Sequence, residues 1–204
     1  MYKGNKGFIL KFGDFAKTLS LEDWKTTSLE DLDSDTEWVA IVTDDAEAYL
    51  NEINAIVTKM KHPKTCFVID LHPCANYKHL QKLWDNYMMV DRESVEVLLS
   101  FIHHHLVNHS MISFTIQDFR VCSVPYPFVK AVSADIVKDA PIDPNAQAMC
   151  YGLCFEQACG LETSYVNAFA KTTDKIGEGK SVPWSIQYSS DNVIEAIFFY
   201  ERKF

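Results

Sequence analysis

The chain has 204 residues, of which 48% are hydrophobic and 23% are charged. This composition excludes a wholly disordered protein and is typical of one globular domain covering residues 1–204. The net charge of −9 disfavours direct binding to nucleic acid or to an anionic membrane. No apolar run is long enough for a membrane span or a signal peptide, and the cysteines lie mostly in apolar runs. We therefore expect a soluble protein with reduced cysteines in the cytoplasm.

Strands and helices are predicted to alternate in the first half of the chain. Continuous apolar, β-branched runs indicate strands that are buried on both faces, and apolar residues three and four apart indicate helices. The predicted elements are, in chain order, a strand at 7–12, a short helix beginning at 20–24, a strand at 38–43, a helix from Asp44 or Asp45 to about 60, a strand at 66–71 and a helical region in two pieces from about 76 to 109.

The second half is predicted to be richer in strands. Strands are expected at 111–121 and 128–137, and Asp143-Pro144 indicates the start of a helix that continues to about Cys159. A further helix at 164–175 precedes a hairpin made of 182–188 and 193–200. The fold predicted from this order is α/β (or α+β), with helices flanking a mixed sheet of about six or seven strands. The sheet is parallel at its centre and antiparallel in the C-terminal half.

Negative charge is concentrated near the beginning of the chain. Residues 14 to 52 contain twelve acidic side chains and two lysines, which accounts for about the whole net charge. The densest group is formed by Glu30, Asp31, Asp33, Asp35 and Glu37. Three interpretations are open: a solvated loop, a docking surface for a basic protein, and a site for a divalent cation. The leading hypothesis for function is a non-catalytic interaction or regulatory protein that presents this acidic surface to a basic partner protein.

The alternative hypothesis is a small intracellular hydrolase or transferase. Ligands in open α/β sheets bind beyond the carboxyl ends of the strands, and acidic, histidine and thiol side chains follow two of the predicted strands. The candidate catalytic residues are Asp45, Asp70, His72 and Cys74, with Asp44 beside them. Carboxylates and histidine suit acid–base chemistry, but the same residues also serve commonly as helix caps and loop residues.

Neither a cofactor nor a metal site is predicted. Only 7 residues are glycine, and the chain lacks the GxGxxG pattern of phosphate-binding loops. His105 and His109 are four apart and would share a helix face, but no acidic residue lies between them as in HExxH. Cys150 and Cys154 are too far apart for a CxxC site and are expected to face a core from one helix. Oligomeric state is left open.

Overall fold

One nine-stranded sheet organises the molecule. The computed structural model describes residues 7–21, 24–32, 36–72, 74–108, 114–136, 140–156, 163–176, 182–189 and 192–201. The strands lie in the order β2-β1-β3-β4-β5-β6-β9-β7-β8. They are β1 (Gly7–Phe12), β2 (Trp24–Thr26), β3 (Val39–Thr43), β4 (Cys66–Asp70), β5 (Tyr87–Val90), β6 (Phe128–Asp135), β7 (Ala148–Glu156), β8 (Trp184–Ser189) and β9 (Val193–Tyr200).

The sheet is mixed, as the sequence predicts. The first six strands in the spatial order, β2 to β6, all pair in parallel. Strand β9 is antiparallel to both of its neighbours, β6 and β7, while β8 is parallel to β7. The predicted α/β class with antiparallel pairing in the C-terminal half is therefore confirmed.

Helices cover both faces of the sheet. Helices α2, α3 and α6 contribute to the core on one face, and α1, α4 and α5 to the core on the other. No helix in the described parts of the chain is both long enough and apolar enough to cross a membrane. The helices are α1 (Asp14–Thr18), α2 (Leu50–Lys59), α3 (Tyr77–Leu83), α4 (Val95–Ile102), α5 (Ile116–Ser123) and α6 (Thr163–Thr173), with a π-helical segment at His103–Val107 and 3-10 turns at Pro63–Thr65 and Asp174–Ile176.

Continuous apolar runs in the sequence predict the parallel strands β3 and β4 well, because both faces of these strands are covered. Every residue of β3 and of β4 is buried, and along β3 the side chains alternate between the two cores. Val39 and Ile41 pack on one side, and Ala40 and Val42 on the other. Strands that are covered on both faces need apolar residues at consecutive positions, so the sequence pattern is continuous instead of alternating.

The largest difference from the sequence prediction is β7, which was expected to be a helix. Ala148–Glu156 forms a strand between β9 and β8. Its residues 148–155 are buried or nearly so, because both faces of this strand are also covered. A short apolar run of this kind is compatible with a buried helix or a buried strand, and Asp143-Pro144 favoured the helix. In the structure the Asp143 carboxylate instead accepts a hydrogen bond from the Tyr200 hydroxyl.

In two further segments the secondary structure is the opposite of the one predicted, a strand where a helix was expected and a helix where a strand was expected. Tyr87–Val90 was included in a helical region but forms the buried strand β5. Residues 116–121 belong to the strand predicted at 111–121, but they lie in α5 (Ile116–Ser123), which begins with a capping box between Thr115 and Asp118. This TxxD signal is visible in the sequence and is stronger than the apolar pattern that favoured a strand. Residues 111–113 of the predicted strand lie outside the described residues.

The predicted hairpin at the C-terminal end was also wrong. Strands β8 and β9 follow one another in the chain, but β7 lies between them in the sheet. Strand β7 is buried on both faces and pairs with β9 on one side and with β8 on the other. It therefore occupies the position next to β9 that β8 would have in a hairpin. With the short strands β2 and β5, these changes raise the number of strands from the expected six or seven to nine.

Candidate functional site

Asp70 lies at the carboxyl end of β4, as predicted, but its carboxylate is fully engaged. Its Oδ1 accepts hydrogen bonds from the backbone N–H groups of Ala46, at 3.3 Å, and His72, at 3.1 Å. Its Oδ2 accepts one from the Tyr87 hydroxyl at 2.7 Å. The side chain is only 1% exposed, and burial raises its pKa more than these donors lower it. Asp70 therefore joins the loop after β3, the loop after β4 and strand β5.

The other residues of the alternative site lie around Asp70 in the adjoining loops. Asp45 is exposed, and its Oδ1 accepts hydrogen bonds from the N–H groups of Glu47 and Ala48. His72 is exposed, and the half-buried Cys74 accepts a hydrogen bond from the Asn76 N–H. Burial raises the pKa of the Cys74 thiol, and nearby carboxylates add to the effect. A raised pKa disfavours the thiolate, which is the nucleophilic form of cysteine.

Asp44, which also belongs to this edge of the sheet, serves as a cap for α1. Its two carboxylate oxygens accept hydrogen bonds from the N–H groups of Phe15, at 2.8 Å, and Ala16, at 3.0 Å. Gly13, at φ 99°, precedes the helix, and a Cβ at this position would strike the Asp44 carboxylate. The sequence predicted Asp44 or Asp45 as the cap of the following helix, whereas Asp44 caps the preceding one.

The acidic loop, which we define as residues 29 to 37, is partly described. Glu30, Asp31 and Glu37 are exposed, whereas Leu32 is 3% exposed and packs in the core beside α2. Asp33 and Asp35 lie outside the described residues. The Lys59 ammonium donates a hydrogen bond to the Leu29 carbonyl at 2.7 Å, so the C-terminal end of α2 lies next to this loop.

A second group of polar residues, which the sequence analysis did not bring together, lies beside the core that contains α4. We define the His–Cys–Glu cluster as His104, His105, Cys154 and Glu195. The two histidines come from the π-helical segment that continues α4, Cys154 from β7 and Glu195 from β9. Cys154 is 0% exposed and Glu195 is 3% exposed. Four polar side chains thus meet at the edge of an apolar core.

The nitrogen, sulfur and oxygen atoms of this cluster are close together. Cys154 Sγ lies 3.9 Å from His104 Nδ1 and 3.6 Å from His105 Nε2. Glu195 Oε2 lies 3.7 Å from His104 Nδ1 and 3.3 Å from His105 Nε2. One ligand atom each from His104, Cys154 and Glu195 lies within 4.8 Å of the other two. These residue types at these separations are the ones that hold transition metals in proteins.

Hydrogen bonds with two serines orient the cluster. The Ser100 hydroxyl donates to Glu195 Oε1 at 2.5 Å, and Ser185 Oγ lies 2.6 Å from His105 Nδ1. Burial by itself would raise the pKa of Glu195, but His104, His105 and Ser100 lower it to about 2. Burial lowers the pKa of His105 despite the nearby carboxylate. The ionised form of Glu195 and the neutral form of the His105 imidazole are therefore favoured at neutral pH.

Two structural features give access and room to the cluster. A pocket of about 270 Å³ is lined by both His104 and Glu195, together with Ser100 and Ser133. At Gly152, which lies two residues before Cys154 on β7, a Cβ would collide with the His105 ring. The absence of a side chain at Gly152 thus lets the buried imidazole lie directly against the strand.

Sequence reasoning missed the cluster because its residues come from three separate segments. It considered His105 with His109, which lies outside the described residues, and it placed Cys150 and Cys154 on a helix. Cys154 instead lies on a strand, on the same face as Gly152 and Cys150. The available signals were the run of three histidines and the isolated Glu195 within the apolar sequence Val193–Tyr200. A charged residue in such a run is usually paired when it is buried.

Comparisons with known proteins give resemblances of fold only. No protein-family model matches the chain, and no curated protein matches its sequence. Among solved structures, an FtsZ W319Y mutant from M. jannaschii aligns with 81% of this chain and 66% of its own, at 10% identity and a TM-score of 0.48. CetZ from Methanosaeta thermophila aligns with 81% of this chain and 52% of its own, at 10% identity and a TM-score of 0.39.

A third resemblance is to TubZ of Bacillus thuringiensis serovar israelensis, solved as GDP-form protofilaments. It covers 79% of this chain and 52% of that protein, at 10% identity and a TM-score of 0.36. The chain thus spans about half to two thirds of the length of these three structures.

Proposed function

We propose that the protein is a non-catalytic binding or regulatory protein that uses its acidic loop to bind a basic partner protein. The observation that carries this proposal is the exposure of Glu30, Asp31 and Glu37 around the buried anchor Leu32. A loop anchored by Leu32 and by the hydrogen bond from Lys59 to Leu29 can present its charges without loss of the fold. Complementary charge of this kind mainly increases the rate and selectivity of association.

The charged side chains near the acidic loop determine the strength of its negative electrostatic potential. The ammonium of Lys59 is hydrogen-bonded to the backbone of Leu29. Within the described part of the chain no ion pair joins Lys59 to Glu30 or Asp31. Lys59 fastens the loop and reduces its local negative charge, but Asp33 and Asp35 add two more acidic residues to the same segment. The net sign of the segment therefore stays negative.

The hydrolase or transferase alternative has less support. A catalytic carboxylate needs an oxygen that can reach a substrate or a proton, whereas Asp70 is buried and both of its oxygens accept hydrogen bonds. Asp44 and Asp45 bind backbone N–H groups, as helix and turn caps do. The five described cysteines are free, which agrees with a reducing compartment, and we place the proposed binding in the cytoplasm.

Binding to a basic probe tests the proposal. A fluorescent oligolysine peptide should bind the wild-type protein at low salt, and its dissociation constant should rise steeply between about 50 and 300 mM salt. The double charge reversal Glu30→Lys with Asp31→Lys should weaken binding by about tenfold or more, because it removes two negative charges and adds two positive ones.

A matched variant controls for the change in total charge. Glu93→Lys with Glu201→Lys reverses two exposed acidic residues outside residues 14 to 52, and it should change the affinity by less than about twofold. Equal weakening by both double variants would mean that only the overall charge matters. The acidic loop would then have no special role, and the proposal would be discarded.

A further inference from the structure

We propose that the protein binds a zinc ion through His104 Nδ1, Cys154 Sγ and a Glu195 carboxylate oxygen, with the fourth coordination position open to the adjoining pocket. The three ligand atoms already lie within 4.8 Å of one another. This site shares no residue with the acidic loop, so it is independent of the proposed partner binding.

The distances among the ligand atoms agree with a tetrahedral zinc site. Zinc lies about 2.3 Å from cysteine sulfur and about 2.0 Å from histidine nitrogen or carboxylate oxygen. Tetrahedral angles then place sulfur and nitrogen about 3.5 Å apart, and nitrogen and oxygen about 3.3 Å apart. The observed separations are 3.9 Å between Cys154 Sγ and His104 Nδ1 and 3.7 Å between His104 Nδ1 and Glu195 Oε2. Both separations exceed the tetrahedral values by about 0.4 Å, and Cys154 Sγ lies within 4.8 Å of the Glu195 oxygen, so a movement of the side chains would complete the coordination.

One oxygen of the cluster has unused capacity for a ligand. Glu195 is 3% exposed, and within the described residues its Oε2 makes no hydrogen bond of good geometry. His105 Nε2 lies 3.3 Å from this oxygen and His104 Nδ1 lies 3.7 Å from it. Buried carboxylate oxygens are nearly always satisfied, so an oxygen beside a thiol and two imidazoles is well placed to bind a cation.

The groups around the ligands have the arrangement that supports metal sites. Ser100 holds Glu195 Oε1, leaving Oε2 for the metal, and Ser185 fixes the His105 ring behind it. Hydrogen bonds from neighbouring residues to the ligands commonly set the orientation and the affinity of a metal site. The histidines also lie in a π-helical segment, a distortion that is frequent at functional sites.

The pocket determines what kind of zinc site this is. His104 and Glu195 line a cavity of about 270 Å³ together with the hydroxyl groups of Ser100, Ser133 and Ser189. Three protein ligands and an accessible fourth position are typical of zinc that binds water or an exogenous ligand, whereas structural zinc has four protein ligands. The ligand class is therefore water, or a small molecule that replaces it with an oxygen donor.

Metal binding by the whole untagged chain tests this inference. The protein is stripped with a chelator and titrated with Co²⁺ as a spectroscopic probe, followed by Zn²⁺ in competition. One equivalent of Co²⁺ should give a thiolate charge-transfer band and visible d–d bands, and Zn²⁺ should abolish both. The absence of stoichiometric binding in the wild-type protein would overturn the inference without reference to any variant.

Variants identify the ligands. Cys154→Ala should remove the charge-transfer band, and Glu195→Gln should weaken Co²⁺ binding by at least about tenfold, because each removes a direct ligand. Cys150→Ala is the matched control: it removes a buried thiol from the same strand and should leave the spectrum unchanged. Far-UV circular dichroism confirms that each variant is folded. A charge-transfer band that persists in folded Cys154→Ala, or disappears in folded Cys150→Ala, would overturn the assignment.

Discussion

Two buried carboxylates, Asp70 and Glu195, differ in how completely their oxygens are hydrogen-bonded. Asp70 accepts hydrogen bonds on both oxygens from two backbone N–H groups and a tyrosine hydroxyl. Glu195 accepts one from Ser100 on Oε1, while its Oε2 faces His104, His105 and Cys154 without a well-aligned donor in the described residues. Both are almost inaccessible to solvent, at 1% and 3% exposure.

This difference separates a carboxylate that supports the fold from one that has room for a ligand. A buried carboxylate whose two oxygens both accept hydrogen bonds joins chain segments, and its removal leaves several donors without partners. A buried carboxylate with one oxygen that lacks a hydrogen bond, in a group of metal-binding residue types, contributes less to stability and more to binding. The position at the end of a strand, which made Asp70 the stronger candidate in the sequence, does not show how completely a carboxylate is hydrogen-bonded.

Replacement of Asp70 should have the largest effect on stability. Asp70→Ala leaves the N–H groups of Ala46 and His72 and the Tyr87 hydroxyl without their acceptor, and we expect a loss of about 3–5 kcal/mol in the free energy of unfolding. Urea denaturation at neutral pH measures it. Asp45→Ala, which removes an exposed turn cap, should cost only about 1 kcal/mol. Similar losses in the two variants would show that Asp70 has no special structural role.

The pH dependence of stability in the wild type and in Asp70→Ala tests the direction in which the pKa of Asp70 is shifted. Burial raises the pKa of Asp70 in the folded protein above its value of about 3.9 in the unfolded chain. The folded state then holds the proton more tightly, so the stability due to this carboxyl is greatest below about pH 4 and falls as pH rises through the folded pKa. The difference in stability between wild type and Asp70→Ala should therefore decrease from pH 4 to pH 7. An increase over this range would contradict the raised pKa.

An added methyl group at Gly152 should have an intermediate effect. In Gly152→Ala the new Cβ collides with the His105 ring, which Ser185 and the π-helical segment hold in place, and we expect a loss of about 2–3 kcal/mol. In a His105→Ala background the same substitution should cost less than about 1 kcal/mol, because the colliding ring is absent. Unfolding of the four proteins of this cycle measures the coupling. Equal costs in both backgrounds would exclude contact with His105 as the cause.

The smallest stability effect is expected for Glu195→Gln. The amide keeps the shape and an oxygen for Ser100, and it removes a buried charge that lacks full hydrogen bonding. The free energy of unfolding of the metal-free protein should fall by about 1–2 kcal/mol at neutral pH, because the carboxylate, whose pKa is lowered to about 2, loses its favourable interactions with His104 and His105. Thermal or urea unfolding after treatment with a chelator measures it. A loss above about 2 kcal/mol would mean that Glu195, like Asp70, mainly supports the fold.

The sequence predicted the parallel half of the fold more accurately than the C-terminal half. Strands β1, β3 and β4 were found because their continuous apolar runs are bounded by polar residues and charged turns. Strand β7 was missed because Cys, Tyr and Phe in a buried run fit a helix as well as a strand. The pairing of β9 with β7 instead of β8 depends on contacts between distant segments, which no local pattern records.

The sequence by itself determined the α/β class, the strands β1, β3 and β4 and the crowding of negative charge near the beginning of the chain, because these depend on composition and on spacing within short segments. Only the tertiary structure decided which polar residues meet. His104, Cys154 and Glu195 are up to 91 positions apart in the chain, yet β7 and β9 pair and α4 packs against β9. Sheet pairing and side-chain burial set such distances, and they also decide which carboxylate still has an oxygen available for a ligand.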